Sequence, residues 1–153
     1  MSPLSAFINI PHLPPVAPLS GRDVPPPAGL GVDPSAWWTF ATSKADTLVI
    51  GEDPAIWHVL TVLWPTLPKP RFWCDSRQSK PILAMYCGGT LILQNVPDLG
   101  MDDQHRLLEW CDKNEARSRI IATASRQFVT LVENGGFSRR LYDCLTSAQL
   151  LLM

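Results

Sequence analysis

Short runs of apolar and β-branched residues alternate along this chain with longer segments whose apolar side chains recur every three or four residues. The short runs predict strands and the longer segments predict helices. The clearest strand follows Gly88 and Gly89, where a continuous apolar run ends at two amides, Gln94 and Asn95. An apolar run bounded by turn residues is typical of a strand buried on both faces of a parallel sheet.

The same rules predict strands over 47–50, 71–74, 88–96, 119–124 and 149–152, and helices over 55–64, 101–112, 126–134 and 138–145. Asp53 is expected to cap the first of these helices, with Pro54 at its first position, and Ser125 to cap the third. The core-facing stripe predicted for the second helix consists of Met101, Leu107, Leu108 and Cys111. Strands that alternate with helices predict an α/β fold, with a mostly parallel sheet of about five strands between two layers of helices.

A proline-rich arm precedes this pattern. Nine of the 15 prolines fall within residues 1–34, so the arm is expected to be extended or disordered, with polyproline II character near Pro25 to Pro27. It is either a ligand for a partner domain or an unselected tail. Trp37, Trp38 and Phe40 are expected to dock the arm on the domain, although they would also suit a partner's hot spot. The chain thus divides into an arm and docking segment, 1–46, and a domain, 47–153.

Composition narrows the functional classes. A hydrophobic content of 46%, a charged content of 18% and a net charge of -1 suit a globular protein and give no electrostatic case for direct nucleic-acid binding. No apolar run is long enough to span a bilayer, and the N-terminus lacks the features of a signal peptide. The four cysteines have no paired spacing, so they are expected to be reduced thiols. The expected location is cytoplasmic, without membrane contact.

Two other kinds of site, a zinc site and a catalytic triad, lack part of what they need in this sequence. The three histidines, His12, His58 and His105, are far apart in sequence and lack the further ligands that a zinc site needs. Ser138, His58 and Asp75 would make a triad on paper, but no nucleophile elbow precedes the serine. We therefore predict neither a metal site nor catalytic residues of these kinds.

The segment from Gly88 to Leu93, with the leucines and Gln104 that follow, resembles the Walker B strand and next helix of bacterial enhancer-binding proteins, the AAA+ ATPases that remodel sigma-54 RNA polymerase. The run 119–123 resembles the family's sensor I strand, 135–145 its arginine-finger helix, and 48–52 the start of its phosphate-binding segment. The similarity covers about 47–152. It implies a P-loop, AAA+-like core, and the absence of a helical lid is expected from the end at Met153.

The positions that carry the family's chemistry differ here. A phosphate-binding loop needs glycines and a lysine, whereas the corresponding run begins Gly51-Glu52 and has Trp57 in place of the lysine. Gln94 and Asn95 replace the aspartate and glutamate that hold magnesium and activate water. Trp57 is expected to block or pack across the gap between the 51–58 turn and these amides.

The remaining expected contributors also differ. Ala124-Ser125 stands at sensor I, and Ser138 and Cys144 stand at the two arginine-finger positions, with Arg139 and Arg140 out of register. Only about 37 residues separate Gly51 from Gly88, so the family's sigma-54 contact loop is expected to be missing. The resemblance therefore implies a degenerate member that is not an enzyme.

Three interpretations stay open. The first is a non-catalytic domain that binds a protein partner or self-associates, possible partners including AAA+ homologues, through a surface that includes Trp37, Trp38, Phe137, Arg139 and Arg140. The second is a sensor that still binds ATP or ADP with magnesium at the vestigial positions Gly51, Glu52, Trp57, Gln94 and Asn95. The third is an eroded remnant without a selected role. Under the first interpretation no cofactor is expected.

Overall fold

A computed structural model describes residues 24–27, 29–113 and 117–152. In these ranges five strands form one sheet: β1 (Thr47–Ile50), β2 (Arg71–Asp75), β3 (Thr90–Gln94), β4 (Arg119–Ala124) and β5 (Ala148–Leu151). The α-helices are α1 (Pro34–Thr42), α2 (Asp53–Leu63), α3 (Met101–Lys113), α4 (Phe128–Glu133) and α5 (Arg139–Leu145). Short 3-10 turns span Trp64–Thr66, Leu83–Met85 and Val96–Asp98.

The sheet is parallel throughout, with the spatial order β2-β3-β4-β1-β5. Successive residues of a strand point to opposite faces, so each central strand feeds two cores. Leu48 of β1 packs with α3, α4 and α5, whereas the next residue, Val49, packs with α1 and α2. The predicted three-layer α/β fold with five strands is confirmed.

The docking segment forms a helix that the sequence analysis did not predict. Asp33 caps α1, because its carboxylate accepts the backbone N–H of Ala36, and Pro34 begins the helix. Trp37 is fully buried, and its indole N–H donates to the carbonyl oxygen of Val24 at 2.9 Å. Expected core packing is thus found for Trp37 and Phe40, while Trp38 remains 37% exposed. Residues 1–23 of the predicted arm lie outside the described part of the chain.

Three local predictions are wrong. Glu52, rather than Asp53, holds the N-cap position of α2, and its side chain makes no capping bond. The helix expected from 126 with Ser125 as its cap begins at Phe128 with Gln127 at the N-cap, because residues 125–128 form a turn closed by a backbone bond from Phe128 to Ser125.

The third wrong prediction concerns the core face of α3. Met101 is 53% exposed, whereas Gln104 and Trp110 are buried on that helix. Gln104 can be buried because both ends of its amide are bonded: its nitrogen donates to the carbonyl oxygen of Leu99 at 2.9 Å, and its oxygen accepts the backbone N–H of Ser138 at 2.8 Å.

Candidate functional site at the carboxyl edge of the sheet

The parallel strands bring the predicted site residues to one edge. Gly51 follows β1, Gln94 ends β3 and Ala124 ends β4, so all three lie at the carboxyl ends of neighbouring or next-but-one strands. The backbone N–H of Gly51 donates to the carbonyl oxygen of Ala124 at 3.2 Å. In open α/β sheets this edge is where ligands bind.

Gln94 is held by a tryptophan of the neighbouring strand. Its side-chain oxygen accepts the indole N–H of Trp73 at 3.0 Å. Trp73 lies in register with Ile92, two residues before Gln94 on the same face of the sheet. The amide oxygen at this position is therefore committed to a bond inside the domain.

Asn95 is held by two bonds and a special backbone conformation. Its φ and ψ are 61° and 48°, the left-handed region that asparagine enters more readily than most residues. Its backbone N–H donates to the hydroxyl of Thr123 at 3.0 Å, and its side-chain nitrogen donates to the carboxylate of Asp75 at 2.8 Å. Only 7% of the residue is exposed, so this amide is a buried link between the ends of β3, β4 and β2.

Trp57 covers the tryptophan that holds Gln94. The rings of Trp57 and Trp73 have centroids 5.4 Å apart and are tilted by 59°. Trp57 keeps 45% of its surface exposed. Trp57 is therefore in contact with Trp73 and partly exposed, and that it blocks or packs across the gap between the 51–58 turn and the two amides stays a prediction.

Leu152 occupies the space next to Gly51. A side-chain carbon added at Gly51 would lie 2.8 Å from the Cβ of Leu152, which is only 2% exposed. The backbone N–H of Leu152 donates to Ile50 at 2.8 Å, and its carbonyl oxygen accepts a bond from Arg126 at 3.1 Å. The first residue of the 51–58 turn is thus packed closely against the residue after β5. Sequence reasoning had no signal for this contact, because it depends on the placement of β5 beside β1.

Arg77 joins three segments at this edge, and the sequence analysis did not single it out. Its guanidinium lies 3.5 Å from the carboxylate of Asp53 and 3.2 Å from that of Asp98, and its backbone N–H donates to Asp75. The hydrogen bond to Asp98 is the main cause that raises the pKa of Arg77 above its ordinary value. These ion pairs are largely exposed, so each stabilises the fold little. They nevertheless bring the carboxylates of Asp53, Asp75 and Asp98 together at the carboxyl edge.

The residues at the predicted arginine-finger positions have structural contacts. Ser138 caps α5 by accepting the backbone N–H of Leu141, and Cys144 packs against the core. Arg139 pairs with Asp143 on the same helix at 3.4 Å, and Arg140 lies 3.7 Å from Asp112. Both arginines are exposed, consistent with a solvated helix face.

Two members of the predicted interaction surface are buried. Trp37 has no exposed area and Phe137 is 2% exposed, its ring packing edge-to-face on Phe128 with centroids 4.7 Å apart. Their inclusion in a surface is therefore a wrong prediction. Trp38 and the two arginines remain accessible, and Trp57 is a further exposed aromatic residue.

A second feature of the carboxyl edge is a shallow groove of about 430 Å³ between Asp98 and α4. Ser125, at the sensor I position, and Phe128 line it. In the described ranges no three His, Cys, Asp or Glu side chains are grouped so as to hold a metal ion. Nor does any described helix have the length and apolar character needed to cross a membrane.

Comparison with known proteins gives the family. The family model of the sigma-54 interaction domain matches residues 67–152, more than half of the chain. Among curated proteins none matches significantly.

Solved structures give the fold. NtrX from Brucella abortus in complex with ATP is similar with a TM-score of 0.62 and 14% identity, over 72% of this chain and 33% of that one. Its complex with ADP gives 0.63 and 14%, over 72% and 32%. The P-loop NTPase domain of a sigma-54 activator from E. coli gives 0.53 and 16%, over 72% and 86%. This chain thus spans about a third of the length of NtrX. By its sequence match the chain belongs to the sigma-54 interaction domain family, and it has that family's α/β fold.

Proposed function

We propose that this chain is a non-catalytic member of its family and acts through protein–protein interaction. The observation that carries the proposal is the pair of hydrogen bonds at the former acid positions, from Trp73 to Gln94 and from Asn95 to Asp75. Amides are weak metal ligands and cannot take a proton near neutral pH, so neither position supplies the chemistry of phosphoryl transfer.

The charges around the site support the same conclusion. Glu52, Asp53, Asp75 and Asp98 stand at the carboxyl edge, with Arg77 as the cation bound among the last three. Negatively charged carboxylates in a site repel a nucleotide, because its phosphates are also negatively charged. The family's lysine position is Trp57, which offers no charge to neutralise phosphate.

The direct test is titration of the full chain with Mg-ATP and Mg-ADP by calorimetry, together with a phosphate-release assay. We expect no saturable binding at micromolar concentrations and no hydrolysis above the rate without protein. Saturable micromolar binding would instead support the second candidate, a sensor that binds nucleotide without hydrolysis. That candidate is favoured by one observation, the similarity of this fold to an NtrX structure in complex with ATP.

The interaction itself requires a separate measurement. Exposed aromatic side chains are frequent anchors of protein interfaces, and Trp38 and Trp57 are the exposed tryptophans of the described chain. Size-exclusion chromatography with light scattering, of the chain alone and mixed with AAA+ homologues, should show association. Trp57→Ala should weaken it, while Val129→Ala, at a second exposed position, serves as the control. A chain that stays monomeric, both alone and when mixed with the homologues, would refute the interaction role.

A further inference from the structure

A groove of about 560 Å³ lies at the opposite edge of the sheet, where β1, β4 and β5 begin. Its lining includes Lys44 and Asp46 before β1, Arg117 and Arg119 at the start of β4, and Ser147 before β5. The volume falls in the range of small-molecule sites. No residue of the carboxyl-edge site contributes to it.

A largely buried ion pair lines the groove. The two terminal nitrogens of Arg117 bind the two carboxylate oxygens of Asp46 at 3.1 and 2.7 Å. Asp46 also accepts the backbone N–H of Ile120 at 2.9 Å. The hydrogen bond to Asp46 is the main cause that raises the pKa of Arg117. This pair is satisfied internally and gives the groove a rigid base.

Arg119 differs from Arg117 because it has no carboxylate partner in the part of the chain that the structure describes. Its guanidinium donates to the carbonyl oxygens of Ala45 and Phe40 and to the hydroxyl of Thr47, at 2.7, 3.2 and 3.1 Å. These bonds use Nε and one terminal nitrogen. The second terminal nitrogen makes no hydrogen bond to a described residue. Burial lowers the pKa of Arg119 to about 10, against an opposing effect of the Asp46 charge, and the guanidinium carbon lies 5.7 Å from the centroid of the Phe40 ring.

Lys44 stands on the rim as a second cation. It is exposed and forms no ion pair with any described residue. The lining thus holds three cations and two carboxylates, Asp46 and Asp112. Asp46 is taken by Arg117, and Asp112 is within 3.7 Å of Arg140. Two cations of the groove therefore lack an ion-pair partner in the described chain, and one of them is held in place by three bonds.

We propose that this groove binds a small anion with a phosphate or carboxylate group, held between the guanidinium of Arg119 and the ammonium of Lys44. A guanidinium already fixed by its neighbours loses little freedom when an oxyanion binds. The hydroxyl of Ser147 also lines the groove and donates to the carbonyl oxygen of Cys144 over a long 3.5 Å, a weak bond that it would exchange for one to the anion. The proposal concerns a site far from the carboxyl edge, and it does not depend on the catalytic state of that edge.

The test is an NMR titration of the full chain with sodium phosphate, repeated with sodium succinate, at ionic strength held constant with sodium chloride. We expect saturable shifts at the amides of Ala45, Ser118 and Ser147 with a millimolar dissociation constant, and no shifts at Gln94. Whichever anion saturates gives the chemical class of the ligand. If both saturate, the site recognises the oxyanion itself.

Two variants decide whether the named cations are responsible. Lys44→Gln should weaken binding by about threefold or more, since it removes one charge from the site. Lys80→Gln, at an exposed lysine between β2 and β3, should leave the affinity unchanged. Arg119→Gln should abolish saturation, and if that variant fails to fold, the comparison of the two lysine variants decides. Linear shifts for both anions, or equal affinities of the two lysine variants, would overturn the proposal.

Discussion

Asn95→Asp is the substitution that most directly tests the hydrogen bond between Asn95 and Asp75. The backbone there is left-handed, with φ at 61°, a conformation that aspartate tolerates as asparagine does, so backbone strain should change little. The new side chain has the same shape, but it offers a carboxylate to Asp75 in place of an amide donor. The present distance between the two side chains is 2.8 Å.

The magnitude follows from two terms. Loss of a hydrogen bond to a charged acceptor is worth about 1.5–3 kcal/mol. Repulsion between two unit charges at about 4 Å ranges from about 1 kcal/mol in water to about 4 kcal/mol near a protein surface. Asp75 is partly exposed, so solvent screens much of the repulsion, which we place near its value in water. We expect the free energy of unfolding to fall by about 2.5–4 kcal/mol at pH 7, a large share of the stability of an ordinary domain.

Urea unfolding followed by tryptophan fluorescence measures the effect, and a double variant provides the control. Asn95→Asp combined with Asp75→Asn exchanges the amide and the carboxylate, which restores one donor and one charged acceptor. The free energy of unfolding of the double variant should therefore be about 2 kcal/mol higher than the value expected from adding the losses of the two single variants. At about pH 4, where aspartate ordinarily begins to take up protons, the penalty of Asn95→Asp should shrink as one carboxylate is neutralised. Wild-type stability for Asn95→Asp at pH 7, or strictly additive single effects, would refute the hydrogen bond as the reason for the amide.

Three further predictions compare neighbouring or contrasting positions. Gly89→Ala should destabilise the fold by at least about 3 kcal/mol in chemical unfolding, and Gly88→Ala by about 1–2 kcal/mol. Both glycines have positive φ, but only at Gly89 would the new carbon meet a proline carbonyl oxygen, at 1.9 Å. Similar losses for the two would contradict this reasoning. Trp37→Ala should cost about 3–5 kcal/mol and Trp38→Ala less than about 1 kcal/mol in the same assay, since the former is fully buried and the latter 37% exposed; a reversed order would refute the assigned helix phase. Burial raises the pKa of Cys111 to about 12, so its thiolate fraction at pH 8 is very small. Iodoacetamide should therefore modify Cys111 much later than the exposed Cys87, as followed by mass spectrometry.

The strands and most helices were predictable because their signals are local. Each strand is a short apolar run, and proline or glycine marks the ends of two helices, with Pro65 after α2 and Gly135 after α4. The helix α1 was missed, although Asp33-Pro34 is the same kind of start signal that was used for α2. Without that helix, sequence reasoning could not assign opposite environments to Trp37 and Trp38, because helical phase alone separates them.

The bonds that define the candidate site were not predictable, because they join residues distant in sequence. Asn95 and Asp75 are 20 positions apart in the chain, and they meet because the sheet places the ends of β3 and β2 side by side. The sequence indicated that Gln94 and Asn95 lack charge, which is a property of residue type. It did not indicate which groups bind them, which is a property of strand order and register. Arg77 escaped notice for the same reason, since its importance comes only from the carboxylates that the fold places around it.

Gln94 and Asn95 differ in how strongly their surroundings oppose substitution by an acidic residue. At Gln94 the neighbour is an indole N–H, a donor that a carboxylate would accept equally well. At Asn95 the neighbour is a carboxylate, so an acid there would lose its donor and meet a like charge in a buried setting. A variant with acids at both positions would therefore require a change at Asp75 as well, and phosphate binding of the kind that we propose is absent would require a cation in place of Trp57. Because these requirements fall on four residues from three segments of the chain, single substitutions at this edge are expected to lower stability before they supply any nucleotide chemistry.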